Sequence, residues 1–143
     1  MCMPASECGA GMSQINWSED LSVGLLPMDK EHKVLVGLIN ALELAKSTAT
    51  LDFIERILNT LEEYTKNHFA HEERIMKKMS YPGMAAHFKQ HREFEKRVAF
   101  YLERFKTSTD PVELLEDVLR FLTKWLIAHI RVEDKRYSEY LLT

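Results

Sequence analysis

The sequence predicts an all-α protein, an up-down-up-down antiparallel four-helix bundle with an irregular N-terminal arm. Four segments repeat apolar residues at helical spacing, and short breakers separate them. No useful length of chain alternates apolar and polar residues with the period of two that a half-buried strand requires. Long amphipathic helices joined by short loops pack as antiparallel neighbours, which favours the bundle.

The elements follow in order along the chain. An arm over residues 13–27 has four apolar side chains that can pack on the helices: Ile15, Trp17, Val23 and Leu25. The predicted helices run from Pro27 or Met28 to Lys46, from Leu51 to Met79, from Met84 to Lys106 and from Pro111 to Tyr140. Thr50 and Asp110 are the expected N-caps. Pro111 suits a first helical position, and the sequence Tyr81-Pro82-Gly83 ends the second helix.

Composition limits the class of protein. The 143 residues include 19 basic and 22 acidic side chains, a net charge of −3, which argues against nucleic acid or an anionic membrane surface as a partner. No window approaches the roughly 20 apolar residues of a transmembrane helix, and no secretory signal begins the chain. Cys2 and Cys8 are too close together to brace a core. We expect a cytoplasmic protein with a disordered tail over residues 1–12 and one domain over residues 13–143.

The stretch HFAHEE, residues 68–73, places two histidines and two carboxylates on the second helix. The apolar stripe of that helix is predicted to contain Ile54, Ile57, Leu61, Tyr64, Ile75 and Met79. At about 100° per residue, His68 and Glu72 fall inside the stripe, about 40° apart. His71 lies at its edge and Glu73 points to solvent, so both are predicted to be ordinary surface residues. The inward pair is either hydrogen-bonded in the core or part of a site, because an unpaired buried charge is costly.

The other three helices also carry inward histidines. His87 and His91 lie four residues apart within the apolar stripe of the third helix, a common metal-chelating spacing. His32 lies on the apolar stripe of the first helix, and His129 lies on that of the fourth. Each alone would be interpreted as a core histidine. Together, five of the six histidines point inward from four helices, and this predicts a metal site.

The inward carboxylate on the fourth helix is Glu133 or Asp134. Regular helical geometry selects Glu133, four residues after His129, and turns Asp134 roughly 140° away. A regular helix would also turn Arg136 inward, whereas one extra residue in the turn brings in Asp134 and then Tyr137. Such π-bulges are concentrated at functional sites. The downstream pattern therefore favours Asp134 and predicts a π-bulge between His129 and Asp134.

This set of residues resembles the ligand pattern of the hemerythrin family, specifically its single-domain bacterial members. The family pattern is one His, then H-x-x-x-E, H-x-x-x-H and H-x-x-x-x-D. Seven residues match it in order: His32, His68, Glu72, His87, His91, His129 and Asp134. The resemblance covers about residues 13–143 and implies a hemerythrin-like di-iron centre in a four-helix bundle.

The resemblance also implies two irons with unequal sets of terminal ligands. One iron would be bound by His87, His91 and His129. The other would be bound by His32 and His68 alone. His71 matches no ligand position in the family pattern.

Glu72 and Asp134 would bridge the irons, together with an oxo or hydroxo group. The iron with two histidines would keep one position open, and the pair would cycle between Fe²⁺ and Fe³⁺. In the family, O2 binds end-on at the open, five-coordinate iron and is held as a hydroperoxide. The resemblance therefore implies reversible carriage or storage of O2 rather than catalysis. It also implies NO, azide or other small anions as ligands of the oxidised form.

Residues one turn or one position from the candidate ligands are expected to wall the O2 pocket: Leu35, Phe69, Trp125 and Leu126. Ordinary packing in the bundle core would also explain each of them. Tyr137 is expected to donate a hydrogen bond to the site.

Three other functions stay open on the sequence alone. A sensor or redox switch for O2, NO or peroxide is one alternative, although we expect no effector domain because the bundle accounts for residues 13–143. A di-iron oxidase or detoxifying enzyme is a second alternative, but no inward Cys or further carboxylate cluster supports a substrate site. Iron storage or a redox-inert zinc site is the third, because ligands alone do not select the metal. The sequence identifies no nucleic acid, membrane or protein partner.

Overall fold

The computed structural model describes residues 15–47 and 50–143, which are helical and contain no strand. The helices are α1 (Leu26–Ala45), α2 (Leu51–Lys78), α3 (Met84–Thr107), α4 (Pro111–Ala128) and α5 (Lys135–Leu142). A π-helical turn, His129–Asp134, joins α4 to α5, so that they form one interrupted fourth helix. Each long helix packs on the next, and α4 packs back on α1, which closes the bundle. The predicted fold class is confirmed.

Capping residues set the starts of two helices. The Thr50 side chain accepts a 3.2 Å hydrogen bond from the Phe53 backbone N–H at the start of α2. The Asp110 side chain accepts a 3.1 Å bond from the Glu113 backbone N–H at the start of α4. Pro111 follows directly, where its missing N–H costs nothing. Both predicted N-caps are confirmed.

One asparagine holds the N-terminal arm against the bundle. The Asn40 side chain accepts a 2.8 Å hydrogen bond from the Ile15 backbone N–H and donates a 2.9 Å bond to the Ile15 carbonyl. Val23 is buried, and Trp17 and Leu25 pack partly buried against the core. The predicted packing of the arm is confirmed.

The buried face of α2 is rotated by roughly 45° from the predicted stripe. Met79, expected inside, is 42% exposed, whereas Met76 is buried. Leu58 and Thr65 also face the core. The prediction failed here because it weighed apolar residues alone, while a threonine occupies one of the central positions. Its hydroxyl bonds back to the Leu61 carbonyl at 2.9 Å, so the helix itself satisfies the buried polar group.

The π-helical turn decides which carboxylate points inward. Asp134 is buried, whereas Glu133 is only partly buried and pairs with Arg136 at 3.3 Å. Beyond the turn, Tyr137 is buried and Arg136 is exposed. The predicted π-bulge is confirmed. Its extra residue carries the inward register from His129 to Asp134 and on to Tyr137.

Two expectations concern the outside of the bundle. No helix in the described part of the chain combines the length and apolar character needed to cross a bilayer. The predicted disordered tail, residues 1–12, lies outside the described residues.

Candidate metal centre

Seven ionisable side chains meet inside the otherwise apolar bundle. Each is at most 3% exposed: His32, His68, Glu72, His87, His91, His129 and Asp134. Burying so many ionisable groups costs free energy unless they are paired or bind a metal. The side chains form two overlapping groups whose ligand atoms lie close enough to hold a metal ion, and both groups include Glu72 and Asp134.

The smaller group contains two imidazoles. His32 Nε2 lies 3.1 Å from Asp134 Oδ2 and 3.6 Å from Glu72 Oε2. His68 Nε2 lies 3.4 Å from the same Glu72 oxygen. One oxygen of each carboxylate therefore faces this pair of imidazoles.

The larger group contains three imidazoles and uses the other oxygen of each carboxylate. His87 Nε2 and His129 Nε2 each lie 3.1 Å from Asp134 Oδ1. His91 Nε2 lies 3.2 Å from Glu72 Oε1. Each carboxylate therefore spans both groups, which is the arrangement that two metal ions sharing two bridging carboxylates require.

Many polar atoms at the centre of the site have no hydrogen-bond partner within residues 15–47 and 50–143. They include His32 Nε2, His87 Nε2, His91 Nε2, His129 Nε2, Glu72 Oε1 and both carboxylate oxygens of Asp134. Buried polar atoms almost always have a partner, so orphaned atoms that converge fit a bound cation. Within each group the ligand atoms lie within 4.8 Å of one another. Imidazole nitrogen and carboxylate oxygen suit iron among the transition metals, so the residues present fit two such ions.

Without a metal, the buried histidines and carboxylates stabilise each other's charged forms. Burial alone would lower the pKa of His68, but the charge of Glu72 and the hydrogen bond with Glu31 raise it to about 10. Burial also opposes charge on His32, yet Asp134 and Glu72 raise its pKa to about 8. Burial would raise the pKa of each carboxyl, but the neighbouring histidines keep both well below their ordinary values. The two carboxylates are therefore ionised and able to bind cations.

Two residues that the sequence pattern does not reveal, Glu31 and Gln90, hold candidate ligands from outside. His68 Nδ1 donates a 2.6 Å hydrogen bond to Glu31, and His129 Nδ1 donates a 2.8 Å bond to Gln90 Oε1. Such bonds fix the tautomer and leave Nε2 free to face a metal. Each partner directly precedes a candidate ligand in the chain, but a polar residue on a helix flank is ordinary. No apolar pattern distinguishes these two.

Glu73 and His71 are not ordinary surface residues, so that prediction was wrong. Glu73 Oε2 accepts a 2.7 Å hydrogen bond from His91 Nδ1 and a 2.6 Å bond from Arg92. His71 Nδ1 donates a 2.8 Å bond to Glu31, which thereby bonds two imidazoles. The rotated face of α2 explains both contacts, because it brings the two side chains to opposite edges of the buried face. Neither belongs to the two groups that could hold a metal.

Tyr137 supports one of the shared carboxylates. Its hydroxyl donates a 3.0 Å hydrogen bond to Glu72 Oε2, the oxygen that faces His32 and His68. Burial and the charge of Glu72 raise the pKa of Tyr137 above its ordinary value, so the phenol keeps its proton and remains a donor.

The four residues expected to wall an O2 pocket differ in their placement. Three are buried, namely Leu35, Phe69 and Leu126. Trp125 is only partly buried, and its ring stacks on His129 with centroids 4.3 Å and planes 14° apart. Phe69 stacks on His91 with centroids 3.8 Å and planes 5° apart. Two of the four therefore contact candidate ligands directly.

Fold and site together define a metal-binding four-helix bundle, and comparisons with known proteins agree. The family model described as the Hemerythrin HHE cation binding domain matches residues 24–141. Bacteriohemerythrin of Stenotrophomonas maltophilia is 34% identical over 129 residues, which cover 90% of this chain and 82% of that protein. Bacteriohemerythrin of Pseudomonas paraeruginosa is 35% identical over 128 residues, with the same two coverages.

More distant relatives extend the comparison. Myohemerythrin of Theromyzon tessulatum is 30% identical over 122 residues, which cover 85% of this chain and 89% of that protein. A crystal structure of wild-type hemerythrin matches with a TM-score of 0.79 and 26% identity, covering 89% of this chain and 97% of the other. The chain belongs to the hemerythrin family.

Proposed function

We propose that this protein binds O2 reversibly at a di-iron centre and carries or stores it in the cytoplasm, without catalysing its further reaction. One observation carries the proposal: two buried groups share Glu72 and Asp134 but contain unequal numbers of histidines. Membership of the hemerythrin family supports it. When bound, two irons supply the electrons for reversible reduction of O2.

Because one group contains three histidines and the other only two, the metal in the smaller group would keep one open ligand position. Three imidazoles and one oxygen from each carboxylate give one metal five donor atoms, while two imidazoles and the other two oxygens give its neighbour four. If one bridging oxygen were shared, as the family resemblance implies, the metal held by His87, His91 and His129 would have one more donor than the metal held by His32 and His68. We assign end-on O2 binding to the side of His32 and His68.

The chain's own residues would keep this pocket dry and its carboxylates in position. Leu35 and Leu126 are buried apolar side chains close in sequence to His32 and His129. Apolar walls exclude water and so limit side reactions of the bound ligand. Tyr137, through its bond to Glu72 Oε2, would keep that oxygen facing the open side.

Reconstitution tests the proposal. Protein loaded anaerobically with Fe²⁺ should develop a visible charge-transfer band under O2 and lose it under vacuum through repeated cycles. Zinc-loaded protein is the control, because zinc has no redox chemistry and should give no band. Irreversible oxidation in the first cycle would contradict carriage and would favour a sensor or an enzyme.

The candidate ligands are tested by paired histidine variants. His87→Ala should lose bound iron because it removes a donor from the three-histidine group. His71→Ala should retain the wild-type iron content because this imidazole lies outside both groups. Iron is measured by mass spectrometry after anaerobic loading and desalting. Equal losses in the two variants would show that the assignment of ligands is wrong.

A further inference from the structure

A surface groove between α3 and α4 is lined in part by Trp125, whose ring stacks on the candidate ligand His129. Its volume is ≈ 530 Å³, and three aromatic side chains line it, Tyr101, Phe121 and Trp125. The Arg97 guanidinium lies over two of these rings, 4.8 Å from the Phe121 centroid and 5.6 Å from the Tyr101 centroid. The groove therefore presents aromatic surface together with a cation held in place by stacking.

Aromatic contacts connect this groove to the three-histidine group. Trp125 also lines a second depression, of ≈ 300 Å³, in which the other lining residues include His129. Its ring stacks on that imidazole at 4.3 Å. It also lies 4.5 Å from Phe94 and 6.0 Å from Phe69, the ring that stacks on His91. These ring contacts offer electrons a continuous aromatic route from the partly buried Trp125 to His129 and, through Phe69, to His91.

The groove is positive on a protein that is negative overall. Arg97, Arg120 and Lys124 line it and are exposed, and Asp117, which pairs with Arg120, is the carboxylate that lines it. Three cations and one carboxylate leave a local charge of +2, whereas the whole chain carries −3. Such a patch favours an acidic partner, because complementary charge speeds encounter and orients docking. Arginine and large aromatic residues are also enriched at the centres of protein interfaces.

We propose that this groove docks an acidic one-electron carrier protein, which reduces the oxidised centre through Trp125. The inference rests on the proposed function only in requiring a redox-active di-iron centre. A ferrous centre exposed to O2 can lose its electrons irreversibly, and the ferric form must then be reduced before it binds O2 again. In the reduction, two carrier molecules each lose one electron and become oxidised, while each of the two Fe³⁺ ions gains one and becomes Fe²⁺.

Docking is tested separately from electron transfer. Calorimetry with the diferric protein and an oxidised flavodoxin, a small acidic flavin carrier, measures binding while no electrons move. Lys124→Glu should weaken binding about tenfold at low ionic strength, because it replaces an attraction in the groove by a repulsion. Lys66→Glu, an equal change of charge at an exposed position on α2, should bind as wild type. Equal affinity for both variants would overturn the docking surface.

The electron route is tested at saturating reduced flavodoxin, where docking no longer limits the rate. Stopped-flow absorption follows the loss of the diferric bands. Trp125→Leu should slow this limiting rate about tenfold or more, with saturation confirmed separately for each variant so that weaker docking does not contribute. Phe121→Leu removes a groove ring that is not stacked on a candidate ligand and should keep the limiting rate. Equal slowing in both variants, or none in Trp125→Leu, would overturn the route.

The O2 cycle distinguishes this inference from the proposed function. Lys124→Glu should show the same oxygenation and release under vacuum as wild type. If wild type fails to release O2 but its reduction still depends on Lys124 and Trp125, the proposed function is wrong and the docking surface stands. If wild type binds and releases O2 through repeated cycles, and Lys124→Glu and Trp125→Leu are both reduced at the wild-type rate, only the docking surface is wrong.

Discussion

Glu31 stabilises the candidate centre without belonging to either metal-binding group. Its two carboxylate oxygens accept hydrogen bonds from His68 and His71 at 2.6 and 2.8 Å. Burial would raise the pKa of Glu31, but these two bonds lower it, so the carboxylate stays ionised. An ionised acceptor fixes the orientation of the His68 ring and makes Nε2 a stronger donor to a metal.

Removal of this carboxylate should weaken iron binding. Glu31→Ala is expected to lower the affinity for Fe²⁺ by roughly 10- to 100-fold, the usual effect of losing a partner that orients a ligand. Competition with a chelator of known affinity measures the change. Glu43→Ala, on the same helix but paired with Lys46 instead, is the control and should bind iron as wild type. Equal affinities in the two variants would contradict the role of Glu31.

The sequence predicts the inward-pointing histidines better than it predicts the residues that hydrogen-bond to their outward-facing Nδ1 atoms. A histidine on an apolar stripe is conspicuous, and angles alone bring His32, His68, His87 and His91 into the core. Glu31 and Gln90 stand on flanks where polar residues are expected anyway. Their roles depend on distances between helices, and the spacing of residues along one helix gives no information about those distances.

Among the helical elements, the π-helical turn has the largest effect on the site. It lengthens the spacing between His129 and the inward carboxylate from four residues to five. The residues that follow made this predictable, because a regular helix would turn Arg136 inward, whereas the π-helical turn brings Tyr137 inward and leaves Arg136 exposed. The rotation of α2 was not predictable in the same way, since Thr65 contributes nothing to an apolar stripe.

Neutralising the inward carboxylate should abolish bridging. Asp134→Asn preserves size but removes the charge shared by both groups, so the iron content should fall strongly. Glu133→Gln is the matched control, because Glu133 lies partly buried beside Arg136 and should leave the iron content unchanged. Elemental analysis after anaerobic loading decides between them. Loss of iron in Glu133→Gln alone would contradict the register of the turn.

For the molecule as a whole, binding of metal at the candidate centre would be coupled to folding. Candidate ligands come from α1, α2, α3 and the π turn, so the intact bundle assembles the site and the unfolded chain does not. Closed packing of four helices was predictable from the sequence because long amphipathic helices with short connections have few alternatives. The conformation of the arm was not predictable, since Asn40 reaches 25 residues back to Ile15.

Removing the iron should therefore destabilise the whole bundle. With free Fe²⁺ at 100 times its dissociation constant, the loaded protein should be about 2.7 kcal/mol more stable than the metal-free protein. Anaerobic urea unfolding of both forms measures the difference. The Asp134→Asn variant should show little dependence on iron. An equal gain in that variant would mean that iron stabilises the fold from another location.

The position of Asp134 has a further consequence during synthesis. Both groups need this residue together with Glu72, which lies 62 positions earlier in the chain. Domains form as the chain emerges from the ribosome, N-terminal parts first. Asp134 is made after α1, α2 and α3, so neither group is complete until the fourth helix has followed these three helices and packed on them.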